Sequence, residues 1–143
     1  MNEEERILGI DYGTKNIGIA VSDPLGLFAS PLETVKRGKL EKRIEELILV
    51  YPIKKIIIGY PLRTDGKVGK RAEEVEEFAA AVRGKFNIEV ELWDERYSTV
   101  EAERIMKDAG KSPSREKPKV DRIAAAVILQ SYLDEKRGNK PNK

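Results

Sequence analysis

Apolar residues recur along this chain in two rhythms, and the order of those rhythms predicts the fold. Ile7, Leu8 and Ile10 crowd the stretch from Arg6 to Tyr12, as in a strand covered on both faces. Gly13, Thr14 and Lys15 then predict a turn and 17–22 a second strand, so the chain opens with a hairpin. Asp23-Pro24-Leu25-Gly26 has turn composition, and 27–35 follows as a third strand, which Pro31, lacking an N–H, suits to a sheet edge. Leu40, Ile44, Leu47 and Ile48 have the spacing of one helical face, closed by Tyr51-Pro52. A short buried strand is expected over 54–59. Val75, Phe78, Ala79 and Val82 predict a second helix ending at Gly84. Ile88, Val90 and Leu92 alternate with Glu89 and Glu91, as in a half-covered outer strand. Ser98 and Glu101 have capping-box spacing ahead of Ala102, Ile105 and Met106, with Gly110 as a stop, and a final helix runs from near Val120 to about Lys136. Three antiparallel strands followed by βαβ crossovers make an α/β fold, a mixed five-stranded sheet flanked by helices. Residues 1–137 read as a single domain and 138–143 as a flexible basic tail; the other loose stretch is 111–119, with Pro113 and Pro118.

Composition narrows the chemistry. A chain of 143 residues, 40% of them apolar, supports one core without staples. No apolar run approaches the roughly 18 residues of a membrane span, and the opening Met1-Asn2-Glu3-Glu4-Glu5 is acidic where a signal peptide is basic, so a cytoplasmic protein with no membrane attachment is expected. Cys and His are both absent. That excludes disulfides, thiolate or imidazole zinc sites, Cys nucleophiles and Ser-His-Asp triads. What remains is carboxylates, Lys, Arg, Tyr and hydroxyls, with or without a hard, oxygen-liking ion such as Mg²⁺ or Mn²⁺. The net charge of +2 names no partner by itself.

Three acidic positions stand at the ends of inward-facing elements. Asp11 ends an otherwise apolar strand, where a lone buried carboxylate is costly. Asp94 and Glu95 follow the alternating strand. Asp121 opens a helix that is apolar nearly all round, and Ala125 and Ile128 at its i+4 and i+7 positions place it on or beside the inward face, where small residues would let the helix sit close to the sheet. Each acid singly has an ordinary explanation, as a hairpin-turn residue or as helix-start decoration. Together, like charges in one place require cations, and two divalent ions held by such a cluster suit an in-line phosphodiester displacement. Candidate phosphate contacts are Lys15 in the first turn, Arg63, Lys67, Lys70 and Arg71 around the loop that begins at Gly59, and Arg96 beside the acidic pair. From Arg104 to Arg122, Lys107, Lys111, Arg115, Lys117 and Lys119 outnumber Asp108, Glu116 and Asp121, a basic arm without aromatics that would grip by shape.

The stretch Leu8-Gly9-Ile10-Asp11-Tyr12-Gly13-Thr14-Lys15-Asn16-Ile17-Gly18-Ile19-Ala20-Val21-Ser22-Asp23 resembles the opening motif of the YqgF, or RuvX, family. Three further blocks match that family in order: Ile58-Gly59-Tyr60-Pro61-Leu62 with Asp65-Gly66, Asp94-Glu95-Arg96-Tyr97-Ser98-Thr99 with Glu101-Ala102, and Lys119-Val120-Asp121 with Ala124-Ala125 and Ile128-Leu129-Gln130. The resemblance covers nearly the whole chain. It implies an RNase H-like fold similar to RuvC-type Holliday-junction resolvases, and a nuclease acting on the 5′ end of pre-16S ribosomal RNA or on four-way DNA junctions, as a monomer or homodimer. Carried onto this chain it implies Asp11, one acid of Asp94-Glu95, and Asp121 as catalytic carboxylates, with Asp11, Glu95 and Asp121 as ligands for Mg²⁺ or Mn²⁺. Glu95 is favoured because Asp94 continues the parity of Ile88, Val90 and Leu92 and is expected to be committed to packing or capping. Tyr60 and Arg63 stand where the family more often has Leu and Asn. Two other readings compete: a non-catalytic RNA-binding assembly factor, and an ATP-binding phosphotransferase suggested by Asp11-Tyr12-Gly13-Thr14, which the chain is too short to complete with a second domain.

Overall fold

The computed structural model describes residues 5–13, 15–61, 65, 68–94 and 117–136. Five strands, β1 (Arg6–Tyr12), β2 (Asn16–Ser22), β3 (Ala29–Lys36), β4 (Ile53–Tyr60) and β5 (Glu89–Asp94), form one sheet in the order β3-β2-β1-β4-β5. The first three are antiparallel neighbours, and β1, β4 and β5 run parallel, as crossover connections require. The expected mixed sheet is therefore present. Pro31 lies on the edge strand β3, beside the point where the register slips between Ile19 and Ala20, the kind of place where a residue without an N–H is tolerated.

Helices α1 (Leu40–Val50) and α2 (Lys70–Phe86) cover one face, and α3 (Lys117–Lys136) covers the other. A short 3-10 turn over Arg37–Lys39, not expected from the pattern, leads into α1. Alternation in β1 divides the core: Leu8 and Ile10 join Ile44, Leu47, Val75 and Phe78 under α1 and α2, whereas Ile7 joins Ala125, Ile128 and Leu129 under α3. The expected helix over 98–110 and the tail at 138–143 lie outside the described residues.

Two boundaries differ from expectation. Helix α2 runs through Gly84, which is exposed with open space around it, and stops instead at Asn87, whose φ of 54° is left-handed and whose N–H caps the Arg83 carbonyl at 3.0 Å. An exposed helical glycine costs only about 1 kcal/mol, too little to stop a helix anchored by Val75, Phe78, Ala79 and Val82. Asn87→Ala is therefore expected to lower stability by about 1 kcal/mol while Asn87→Gly does not, as read by thermal denaturation of both variants. Helix α3 begins at Lys117 and not near Val120, because Pro118 falls in the first turn, where its absent N–H would have had no helical partner.

Helix α3 is tied to the β2–β3 connection by one side chain. The Gln130 amide donates to the Leu27 carbonyl at 2.9 Å, and its oxygen accepts the Ala29 N–H at 2.8 Å. The same connection is braced internally by Asp23 Oδ1, which accepts from Leu27 N and Phe28 N at 2.8 and 2.9 Å. Partial burial opposes the charge on Asp23, but the amides of Phe28 and Leu27 outweigh it and hold the carboxyl below its ordinary range.

Candidate active site

Asp11 lies near the carboxyl end of β1, where the parallel strands β1, β4 and β5 finish. Since Ile7 faces α3 and Leu8, Ile10 and Tyr12 face the other layer, alternation gives half-buried Asp11 the α3 side. Its partner in the antiparallel register is Gly18. A Cβ built on Gly18 would stand 1.9 Å from the Asp121 carbonyl oxygen and 2.9 Å from the Arg122 nitrogen, so the start of α3 rests directly on the strand beside Asp11. Farther along, a Cβ on Gly9 would meet Leu129 Cβ at 2.7 Å. The close approach expected of α3 is thus real, and the glycines of β1 and β2 supply it together with Ala125. Asp121 is 6% exposed, with Ala125 and Ile128 fully buried behind it.

Asp94 ends β5 opposite Tyr60 in the register. It is exposed, which corrects the packing half of the expectation that packing or capping commits it, and it shares the parity of Val90 and Leu92, on the sheet face away from α3. The structure therefore brings Asp11 and Asp121 to one strand end and one face and sets Asp94 on the other. Glu95, Arg63, Lys67, Arg96, Lys111 and Arg115 lie outside the described residues, as do the side chains of Lys117 and Lys119. Among the described residues no group of three acids is assembled for a metal ion.

Lys15, Lys70 and Arg71 are exposed around this end of the sheet, and Arg71 Nη2 donates to the Tyr12 carbonyl at 3.2 Å. None of the three makes an ion pair among the described residues, whereas Arg43 is bound by Glu33 and Glu46, Lys55 by Glu89 and Glu91, and Lys85 by Glu41. Tyr60 donates its hydroxyl to Glu76 on α2, and that carboxylate holds the phenol above its ordinary pKa. Sequence reasoning missed Arg37. It crosses onto Tyr12 from the end of β3, a contact created by the β1–β2–β3 register and signalled only by the basic run Lys36-Arg37-Gly38-Lys39.

A family model described as RuvX, Holliday junction resolvase, matches residues 5–135. The chain belongs to the RuvX family. Proteins of similar sequence include those of Acetivibrio thermocellus and Geobacillus kaustophilus, 49% and 48% identical over 136 and 137 residues. Each alignment covers 92% of this chain, and 96% and 99% of those relatives, both of which bear the name "Putative pre-16S rRNA nuclease". Among solved structures, Thermus thermophilus RuvC in complex with a Holliday junction substrate aligns at a TM-score of 0.58 and 14% identity, over 94% of this chain and 97% of that one. The fowlpox virus resolvase, also with junction DNA, aligns at 0.55 and 13% over 91% and 97%. These likenesses establish the RuvC-like, RNase H-like fold that the sequence motifs implied. The family description and the relatives' name are both of enzymes that cleave phosphodiester bonds. No described helix is long and apolar enough to cross a membrane.

Proposed function

We propose that this protein is a divalent-metal-dependent nuclease that trims the 5′ end of pre-16S ribosomal RNA. The observation that carries the reading is Gly18: paired with Asp11 and pressed against the backbone of Asp121, it seats two acids from opposite ends of the chain at one strand end. A side chain at position 18 would fill that seat. The donors suit a hard ion, since carboxylates are the preferred ligands of Mg²⁺ and Mn²⁺ and neither Cys nor His competes for them. Two carboxylates on one face, one of them nearly fully buried, are favourable only where positive charge offsets their repulsion and desolvation.

We assign Asp11, Asp121 and Glu95 as metal ligands. Glu95 takes precedence over Asp94 because Asp94 has the parity opposite to Trp93, which packs toward α3, and so is set on the face away from Asp11 and Asp121. When bound, a pair of divalent ions supplies an activated water and stabilises the leaving oxygen. The protein's own part is to hold the ions and fix the strand: Asp11 from β1 and Asp121 from α3 on rigid elements, with Lys15, Lys70 and Arg71 neutralising backbone phosphates. Residues 1–137 serve as one catalytic unit.

Ribosomal RNA is the favoured substrate because relatives at nearly half identity over almost their full length carry that name. The family description, resolvase, supports the second reading, cleavage of four-way DNA junctions. Labelled pre-16S 5′ segments and synthetic four-way junctions, incubated with Mg²⁺, Mn²⁺ or EDTA, separate the two. The expected result is RNA cleavage with either metal and none with EDTA. Junction cleavage alone would move the assignment to resolvase, and an intact probe in every arm would overturn the nuclease.

A further inference from the structure

Tyr12 joins two arginines. The guanidinium of Arg37 lies 4.8 Å over its ring, Arg37 Nε donates to its hydroxyl at 2.8 Å, and Arg71 donates to its carbonyl at 3.2 Å. The backbone helps hold this arrangement: Arg37 N–H donates to the Lys15 carbonyl at 2.9 Å, and the Tyr12 ring stacks on Phe78 at 4.7 Å. Arg37 is thereby fixed in place without exhausting its fork. Its carboxylate contact, Glu74, is 3.6 Å away, beyond good hydrogen-bond length, and Arg71 meets no carboxylate among the described residues. Beside Tyr12 and Arg37 is an open hollow of about 520 Å³, completed by Gly38, Leu40, Glu41 and Phe78; Glu41 is answered by Lys85 at 3.2 Å.

We propose that Arg37, held over the Tyr12 ring, and Arg71, held at the Tyr12 carbonyl, form a seat for the phosphate backbone of the bound nucleic acid, away from the scissile bond and on the Tyr12 face of β1. This rests on the nuclease reading. Asp11 and Tyr12 are consecutive, about 3.8 Å apart at Cα, and point to opposite faces, so a polynucleotide crossing the strand ends from the two acids meets this pair next. Planar guanidinium forks match phosphate oxygens, and an arginine already held on an aromatic ring loses less freedom on binding. The contact reads charge and geometry, not bases, so ribose and deoxyribose backbones both qualify.

The test is the salt dependence of binding in an Asp11→Asn background, which keeps the probe whole, using a fluorescein-labelled pre-16S 5′ RNA segment and a four-way DNA junction. Arg37→Gln and Arg71→Gln are each expected to weaken binding about 5- to 10-fold near 0.1 M salt and to reduce the salt slope by about 1. Glu74→Gln, which releases Arg37 from its competitor, should tighten binding about twofold. Lys54→Gln, removing an exposed charge at the far end of β4, should leave the slope in place. Loss on both probes supports a seat for any phosphodiester backbone; loss on one alone supports a seat fitted to that substrate. If Arg37→Gln only lowers the melting temperature and leaves the slope unchanged, Arg37 is a brace and the seat is wrong. A parent that binds neither probe would instead bring down the nuclease reading beneath it.

Discussion

Asp11→Asn is expected to reduce cleavage by more than about 10³-fold while leaving the circular dichroism spectrum and most nucleic-acid affinity in place. The substitution removes charge and keeps shape. Asn fills the same volume at the end of β1, so the hairpin register with Gly18 is preserved, yet it removes the negative charge that a divalent ion requires. Removing a single oxyanion donor already costs about 10²–10³ in rate, and a metal ligand supports both the water and the leaving group. Asp121→Asn should behave alike in the assay. Single-turnover cleavage at saturating protein decides the matter: a rate constant within about tenfold of wild type would remove Asp11 from the machinery.

Gly18→Ala should damage the protein as severely by a different route. The added methyl would lie 1.9 Å from a backbone oxygen of α3, and backbone, unlike a flexible side-chain tip, has little room to give. Overpacking of this kind costs about 3 kcal/mol or more, which for a domain of this size lowers the melting temperature by about 10 °C. Because the displaced oxygen belongs to Asp121, cleavage should fall further than the unfolded fraction explains when assayed well below the melting point. Gly38→Ala, where a Cβ would meet nothing within 4 Å, is the matched control and should be near neutral. Equal stability in the two variants would show that α3 does not depend on contact at position 18.

Much of this could be read from the chain because it is local. The apolar run of β1, the edge placement of β3 and the face of α1 follow from spacing and Pro31, and each was found where expected. Asp121 was legible as an inward acid because the helix that follows it, from Ile123 to Leu129, is apolar nearly all round. The parts that escaped depend on partners distant in sequence. Nothing near Asn87 or Gly84 states which of them stops α2. Arg37 acquires meaning only when β3 pairs with β2 and carries it to Tyr12. Between Asp94 and Glu95, the parity of Asp94 with Val90 and Leu92 is as expected and separates it from Asp11 and Asp121, while its exposure removes packing as the reason.

Gln130 lies nine residues beyond Asp121 on the same helix, about 13 Å along its axis. Its amide grips both an N–H and a carbonyl of the β2–β3 connection. That clamp joins the contacts at Gly9 and Gly18 in fixing the axial height of a rigid rod that also carries a carboxylate. The spacing between the two acids is therefore gauged in part from the far side of the molecule: a residue inserted in that connection, touching neither metal nor substrate, would strain the rod that holds Asp121 against Gly18.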